Sequence, residues 1–251
     1  MKHLEHCDLL AGEVERFAAL IGAGSYGSFE LPVPSCPGWS LGDLTVHLGT
    51  VHRWAEHLVR VRAPTRISSG DMALGTAGPS ARWLMAGGEA LVATLRAADP
   101  DAPMWAWGPD HRVRFWSRRQ LHETLVHRAD AELALGRDPM AEPAVAVDAV
   151  DEFLVNLGDA AAFSPGVGSI RGADKLLSFR ATDEDREWSV ALRADGFEFG
   201  AAGAAPDATL SGPALSLLLV LYRRLPAATA GMHAAGDQSL IDMWLAGSAL
   251  E

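Results

Sequence analysis

Between Ser40 and Val61 the chain carries a broad apolar stripe at helical spacing, and a histidine stands inside it. Leu44, Leu48, Val51, Ala55 and Leu58 recur three or four residues apart, with Trp54 beside them. That period belongs to an amphipathic helix, because the side chains of a strand change face every second residue. Ser40 followed by Asp43 supplies a capping-box start, and Pro64 lies just past the end. His47 shares the stripe with Leu44, Leu48 and Val51, so it faces the interior of whatever this helix packs against.

Three more helices share the N-terminal half. Leu9, Leu10, Val14, Phe17 and Leu20 place one over Leu4 to Ile21, ended by Gly22 to Gly27. A Pro-rich loop with Pro32, Pro34 and Pro37 follows. After a Gly- and Ser-rich loop from Arg66 to Gly78, a helix is expected from Pro79 to Ala98, with proline in its first turn. Asp99 to Arg114 is irregular, and a fourth helix is expected from Ser117 to Leu135, stopped by Gly136. Four long helices joined by long crossovers describe a bundle.

The pattern changes past a hinge at Pro139 to Pro143. A helix is expected over Asp148 to Ala162. Strands are expected at Leu176 to Ala181, Trp188 to Leu192, Gly196 to Ala201 and Ala208 to Leu210. Ala214 to Arg224 and Ser239 to Ala246 read as helices. Strands followed by helices form a small α+β unit. The fold class is therefore α+β: a helical bundle over residues 1–145 and a small α/β domain over 146–251.

Charge and composition exclude several functions. A net charge of −11 opposes nucleic acid and anionic membrane surfaces, which need a basic footprint. The most apolar stretch, Leu215 to Leu221, is too short to span a bilayer. The charged N-terminus lacks the layout of a signal peptide, so a cytoplasmic location is expected. Cys7 and Cys36, the only cysteines, read as reduced thiols. A basic cluster, Arg112 to Arg119 (RVRFWSRR), reads as a solvated helix entrance, with an anionic small substrate as the other reading.

The chemistry concentrates in the fourth helix, at His122-Glu123-Thr124-Leu125-Val126-His127. Glu123 and His127, four apart, differ by only about 40° around a helix and stand one turn above the other. His122 diverges from His127 by about 140° and shares no face with it. Bundle metal sites use such Glu and His pairs on one helix face, while a helical ion pair has the same spacing. A third ligand must come from another helix. His47, His52 and His57 are the candidates on the second, and His47 is the one on the interior stripe. His52 lies at the far edge, either as a substrate contact or as a surface histidine.

The segments CPGWSLGDLTVHLGTVHRWAEHL (Cys36 to Leu58), HETLVHRADAELALG (His122 to Gly136) and DATLSGPALSLLLVLYRRLP (Asp207 to Pro226) resemble the mycothiol-dependent maleylpyruvate isomerase family, in its motif order. The resemblance implies a DinB-like four-helix metal-binding domain and a small α/β C-terminal domain. It implies metal ligands at His47, Glu123 and His127, a divalent metal that is typically zinc, and mycothiol, a low-molecular-weight thiol, as cosubstrate. The partner is then a small electrophile. Its fate distinguishes a cis–trans isomerase from a mycothiol S-transferase of detoxification or natural-product assembly; a non-catalytic metal-binding protein is the third possibility. Arg223 and Arg224 are candidates to hold a substrate carboxylate, which suits the guanidinium fork; the resemblance implies such an arginine in the C-terminal domain. Arg128 and Asp130 follow the last ligand, where a local ion pair competes with a substrate contact. Nothing in the sequence sets an oligomeric state.

Overall fold

The computed structural model describes residues 1–23, 28–72, 78–200 and 205–249. The chain divides into two compact units, Met1–Pro139 and Met140–Glu251.

The first unit is a four-helix bundle of α1 (His3–Gly22), α2 (Leu41–Val61), α3 (Ala81–Ala97) and α4 (Val113–Ala134). Helices α1 and α2 each pack against both α3 and α4, so the order around the bundle is α1–α3–α2–α4. The core is filled by Leu10, Phe17, Leu44, Leu48, Leu58, Leu84, Leu91 and Leu125. The start of α2 has the expected reciprocal cap: Asp43 N–H donates to Ser40 Oγ at 3.1 Å, and Ser40 N–H donates to Asp43 Oδ2 at 2.9 Å. Such a cap is worth about 1 kcal/mol. Ser80 caps α3 by the single bond its Oγ accepts from Trp83 N–H. Close approach of α2 and α3 requires Gly49, where a Cβ would lie 2.2 Å from the Trp83 ring.

Helix α4 begins four residues earlier than expected, at Val113. The basic run is not simply a solvated entrance. Val113 and Trp116 are fully buried, and Arg119 is 4% exposed. Arg112 and Arg114 turn outward, to Asp101 and Asp110. The helix ends where expected, with Gly136 at φ +66° just beyond it, a conformation glycine adopts without cost. The expected ends of the first helix and of the 66–78 loop fall partly on residues 24–27 and 73–77, outside the described residues.

The second unit holds α5 (Pro143–Asn156), β1 (Lys175–Ala181), β2 (Arg186–Arg193), β3 (Gly196–Phe199), β4 (Ala208–Gly212), α6 (Ala214–Leu221), β5 (His233–Gly236) and α7 (Gln238–Gly247). The strands form one mixed sheet in the order β3-β2-β1-β4-β5. All neighbours are antiparallel except β1 and β4. Alternation builds its buried face: Leu177 faces Val190 and Phe179 faces Trp188 across the β1–β2 pair. Trp244 of α7 closes on Phe179 and Phe197, with ring centroids 5.3 and 5.2 Å away.

The second unit departs from its sequence-based expectations in several places. Helix α5 opens at Pro143, so the expected hinge proline is the first residue of the helix; the helix ends at Asn156, and a 3-10 turn covers Asp159–Ala162. Helix α6 stops at Leu221, and Arg223 takes a left-handed φ of 57° beyond it. Strand β5, made of His-Ala-Ala-Gly and exposed throughout, has no apolar alternation to betray it. The third expected strand ends at Phe199, and its expected end at Ala201 lies outside the described residues.

Candidate metal centre

Adjacent helices α2 and α4 bring three side chains together. His47 Nε2 lies 3.6 Å from Glu123 Oε1, and His127 Nε2 lies 3.2 Å from the same oxygen. The two imidazoles meet edge to face with centroids 5.0 Å apart. One potential ligand atom from each residue falls within 4.8 Å of the others. Two ligands about 2.1 Å from a tetrahedral ion stand about 3.4 Å apart, so both Glu123 contacts have the spacing of a shared cation. The donor set, two imidazoles and a carboxylate, is that of an open zinc-type site. His47 remains 36% exposed and His127 only 8% by side chain, so access runs past His47.

The surroundings hold each group in place. Arg119 Nη2 donates to Glu123 Oε2 at 3.1 Å. Burial pushes the Glu123 carboxyl upward, but hydrogen bonds from His127 and His47 and the Arg119 charge outweigh it, holding it well below the usual carboxylate range. His127 Nδ1 lies 2.9 Å from Asp130 Oδ2. Burial opposes charge on His127, yet Asp130 and Glu123 outweigh burial and raise its pKa to about 9. Asp130 is wholly buried. It also accepts a hydrogen bond from Ser35 Oγ at 2.6 Å, and Cys36 Sγ points at it from 3.5 Å. Trp39 lies against His47, ring centroids 4.8 Å apart.

An open cleft of about 1040 Å³ borders the centre, with His47, Trp39, Val46, Glu30 and Asp43 among its lining.

His52 is not at the surface. It is 0% exposed and lies 2.9 Å from Thr124 Oγ1 through Nε2. The Thr124 hydroxyl donates to Gln120 C=O at 2.7 Å, so the His52 Nε2–H is the donor to Thr124. Nδ1 is left buried without a hydrogen-bond partner. Burial drives the His52 pKa down to about 3, and the ring is neutral. Arg128 is 2% exposed; its guanidinium holds Glu13 of α1 and, at 2.7 Å, Glu132. Arg223 is exposed and Arg224 caps the Tyr222 carbonyl, both in the second unit. Asp130, named from the sequence beside Arg128, pairs locally with His127 instead; Arg119 and Ser35 were missed, the first because it sat in a basic run and the second because it meets Asp130 only in the folded bundle. Cys7 is buried, and burial pushes its thiol up to about 11.

Comparison with known proteins accounts for both units. The family model for the mycothiol maleylpyruvate isomerase N-terminal domain matches residues 10–132, and that for the C-terminal domain of the same family matches residues 144–242. Among solved structures, the chain is similar to a mycothiol-dependent maleylpyruvate isomerase. The TM-score is 0.62 at 12% identity, covering 94% of this chain and 93% of that one. A histidine-to-alanine mutant of such an isomerase matches at TM-score 0.63 with the same identity and coverage. The comparison with curated proteins finds no match. A two-unit chain with a helical bundle and a mixed α/β unit is thus the architecture in hand. The protein belongs to the mycothiol-dependent maleylpyruvate isomerase family.

Among the described residues no helix is long and apolar enough to cross a membrane.

Proposed function

We propose that the protein is a divalent-metal-dependent enzyme that uses mycothiol to isomerise an unsaturated diacid of the maleylpyruvate type. The observation that carries this reading is the convergence of His47 Nε2 and His127 Nε2 on one oxygen of Glu123. His47, Glu123 and His127 would hold the ion, which we take to be zinc from the nitrogen and oxygen donor set. Such an ion lowers the pKa of a coordinated thiol, so that thiolate forms near neutral pH.

The chain's own residues prepare that chemistry. Asp130 accepts a hydrogen bond from His127 Nδ1–H, which would leave Nε2 as the ring nitrogen available to the ion. Arg119 occupies the second oxygen of Glu123. The cleft beside His47 and Trp39 admits the thiol and the electrophile. The thiolate adds to the activated double bond, forming a carbon–sulfur bond as the electron pair moves to the adjacent carbonyl. Rotation about the new single bond follows. The electron pair then returns, the carbon–sulfur bond breaks, and the thiol leaves unchanged with the trans product. His52 and Arg128 are buried and would act only from behind the site.

The test is incubation of the metal-loaded protein with mycothiol and maleylpyruvate, followed by absorbance and mass spectrometry. Loss of the maleyl chromophore without a thiol adduct supports the isomerase. A lasting adduct with members of an electrophile panel replaces it with an S-transferase. Tight metal binding with silence in both assays leaves a non-catalytic metal-binding protein.

A further inference from the structure

We propose that the loop of residues 31–40 is a clasp that sets two of the three ligands at once, with Ser35 acting on His127 through Asp130 and Trp39 acting on His47. Both are positioning residues, and the inference rests on the metal-binding reading above.

The loop is closed on itself. Leu41 N–H donates to Leu31 C=O at 2.8 Å, Val33 N–H to Trp39 C=O at 2.9 Å, and Trp39 N–H to Cys36 C=O at 3.0 Å. Pro32, Pro34 and Pro37 restrict its backbone. Gly38 provides the turn at φ +86°, and Val33, 2% exposed, anchors it in the core. A loop tied in this way holds its side chains at fixed positions.

One of those side chains reaches α4. Asp130 is 0% exposed, and a buried carboxylate is costly unless its oxygens are hydrogen-bonded. Ser35 Oγ satisfies Oδ1 at 2.6 Å, which leaves Oδ2 directed at His127 Nδ1, 2.9 Å away. Cys36 Sγ, 3.5 Å from Oδ2, supports the same oxygen. With Nδ1 carrying the proton, the lone pair of His127 sits on Nε2, on the Glu123 side.

A second side chain reaches α2. His47 is the most exposed of the three ligands, and an exposed imidazole is free to rotate away. The Trp39 ring, tilted 60° to the His47 ring at 4.8 Å, blocks that rotation. The segment Ser35-Cys36-Pro37-Gly38-Trp39 therefore supports one ligand on each of two helices, which gives the motif a purpose beyond entering α2.

The full-length chain tests this through zinc affinity, measured by competition with a chromophoric chelator, and through the visible spectrum of the Co(II)-loaded protein. Ser35→Ala is expected to weaken zinc binding about ten- to hundredfold, and Ser35→Thr to restore it. Trp39→Ala is expected to weaken zinc binding and alter the Co(II) bands, with Trp39→Phe close to the natural chain. If Ser35→Ala does not fold, Ser35→Cys, a weaker donor, replaces it with an intermediate affinity expected. A merely structural role would lower the melting temperature with and without metal alike and leave zinc affinity unchanged. Unchanged affinity and Co(II) bands in the Ser35 and Trp39 variants, while His47→Ala abolishes binding, overturn the clasp and leave the metal site standing. Unaltered zinc binding in His47→Ala overturns the metal reading itself.

Discussion

Arg119 Nη2 stands 3.1 Å from Glu123 Oε2, while both histidines of the cluster face Oε1. A cationic group is thereby fixed on the far side of the one anionic ligand. It limits Glu123 to a single donor oxygen and adds positive charge near the proposed cation.

Replacing Arg119 by Met should therefore tighten zinc binding, by up to about tenfold, because one like charge is removed. Turnover should fall, since Glu123 then neutralises the ion more fully and the thiol is less acidified. Chelator competition together with a pH–rate profile reads both effects; the acidic limb should move to higher pH. Weaker zinc binding would rule out this role for Arg119.

Metal binding should release a proton. His127 has its pKa raised to about 9 without metal, so at pH 7 the ion must displace that proton to reach Nε2. Between pH 7 and pH 9 the apparent affinity should rise about tenfold per unit. Calorimetry in two buffers of different ionisation enthalpy should find close to one proton released at pH 7. Asp130→Asn removes the main group that keeps the proton on His127, so the release should shrink.

His52 makes stability fall in acid. Its pKa is lowered from 6.5 to about 3 by burial, so below pH 6.5 the unfolded chain binds a proton that the folded chain refuses. The contribution is fully present above pH 6.5 and is lost as pH falls toward 3, by up to about 1.4 kcal/mol per unit. Urea titrations at pH 7 and pH 5 should show the natural chain losing about 2 kcal/mol more than His52→Gln does. Equal losses in the two proteins would refute it.

Arg128 and Glu13, both 3% exposed by side chain, form an ion pair between α4 and α1. Removing one partner of such a pair typically costs about 3–5 kcal/mol, because the other is left buried with its charge. Arg16 also holds Glu13, at 2.6 Å, so Arg128→Met should fall at the lower end, about 3 kcal/mol. The double variant Glu13→Leu with Arg128→Met should recover most of it. Thermal melts give the stabilities, and an unchanged KM in the single variant separates this role from substrate binding.

Periodicity exposed the elements whose one face is apolar. Helix α2 could be read from its stripe and its Ser40–Asp43 cap, and the end of α4 from Gly136, but His47, expected to face the interior, is 36% exposed at the rim of the bundle's stripe. Helix α4 resisted because polar residues line its buried face as well: Arg119, Gln120, His122, Thr124, His127 and Asp130 are all buried there. A pattern of polar against apolar residues cannot find the start of such a helix. The pairing of Glu123 with His127 was visible because it is local, four residues on one helix. The support from Ser35 was not, because it crosses from a loop to Asp130 far along the chain. His52 was misplaced because a position at the edge of a stripe faces a neighbouring helix once the bundle closes. Strand β5 is recruited by backbone pairing with β4 alone, which leaves no trace in its side chains.

The candidate ligands lie on helices separated by the whole of α3. A nascent chain that has not yet docked α2 beside α4 offers an ion only the weak Glu123–His127 pair. If the chain takes up a metal as proposed, loading would therefore be a late event in the life of each molecule, open only to finished bundles, and the supply of free metal would act on folded protein rather than guide its assembly.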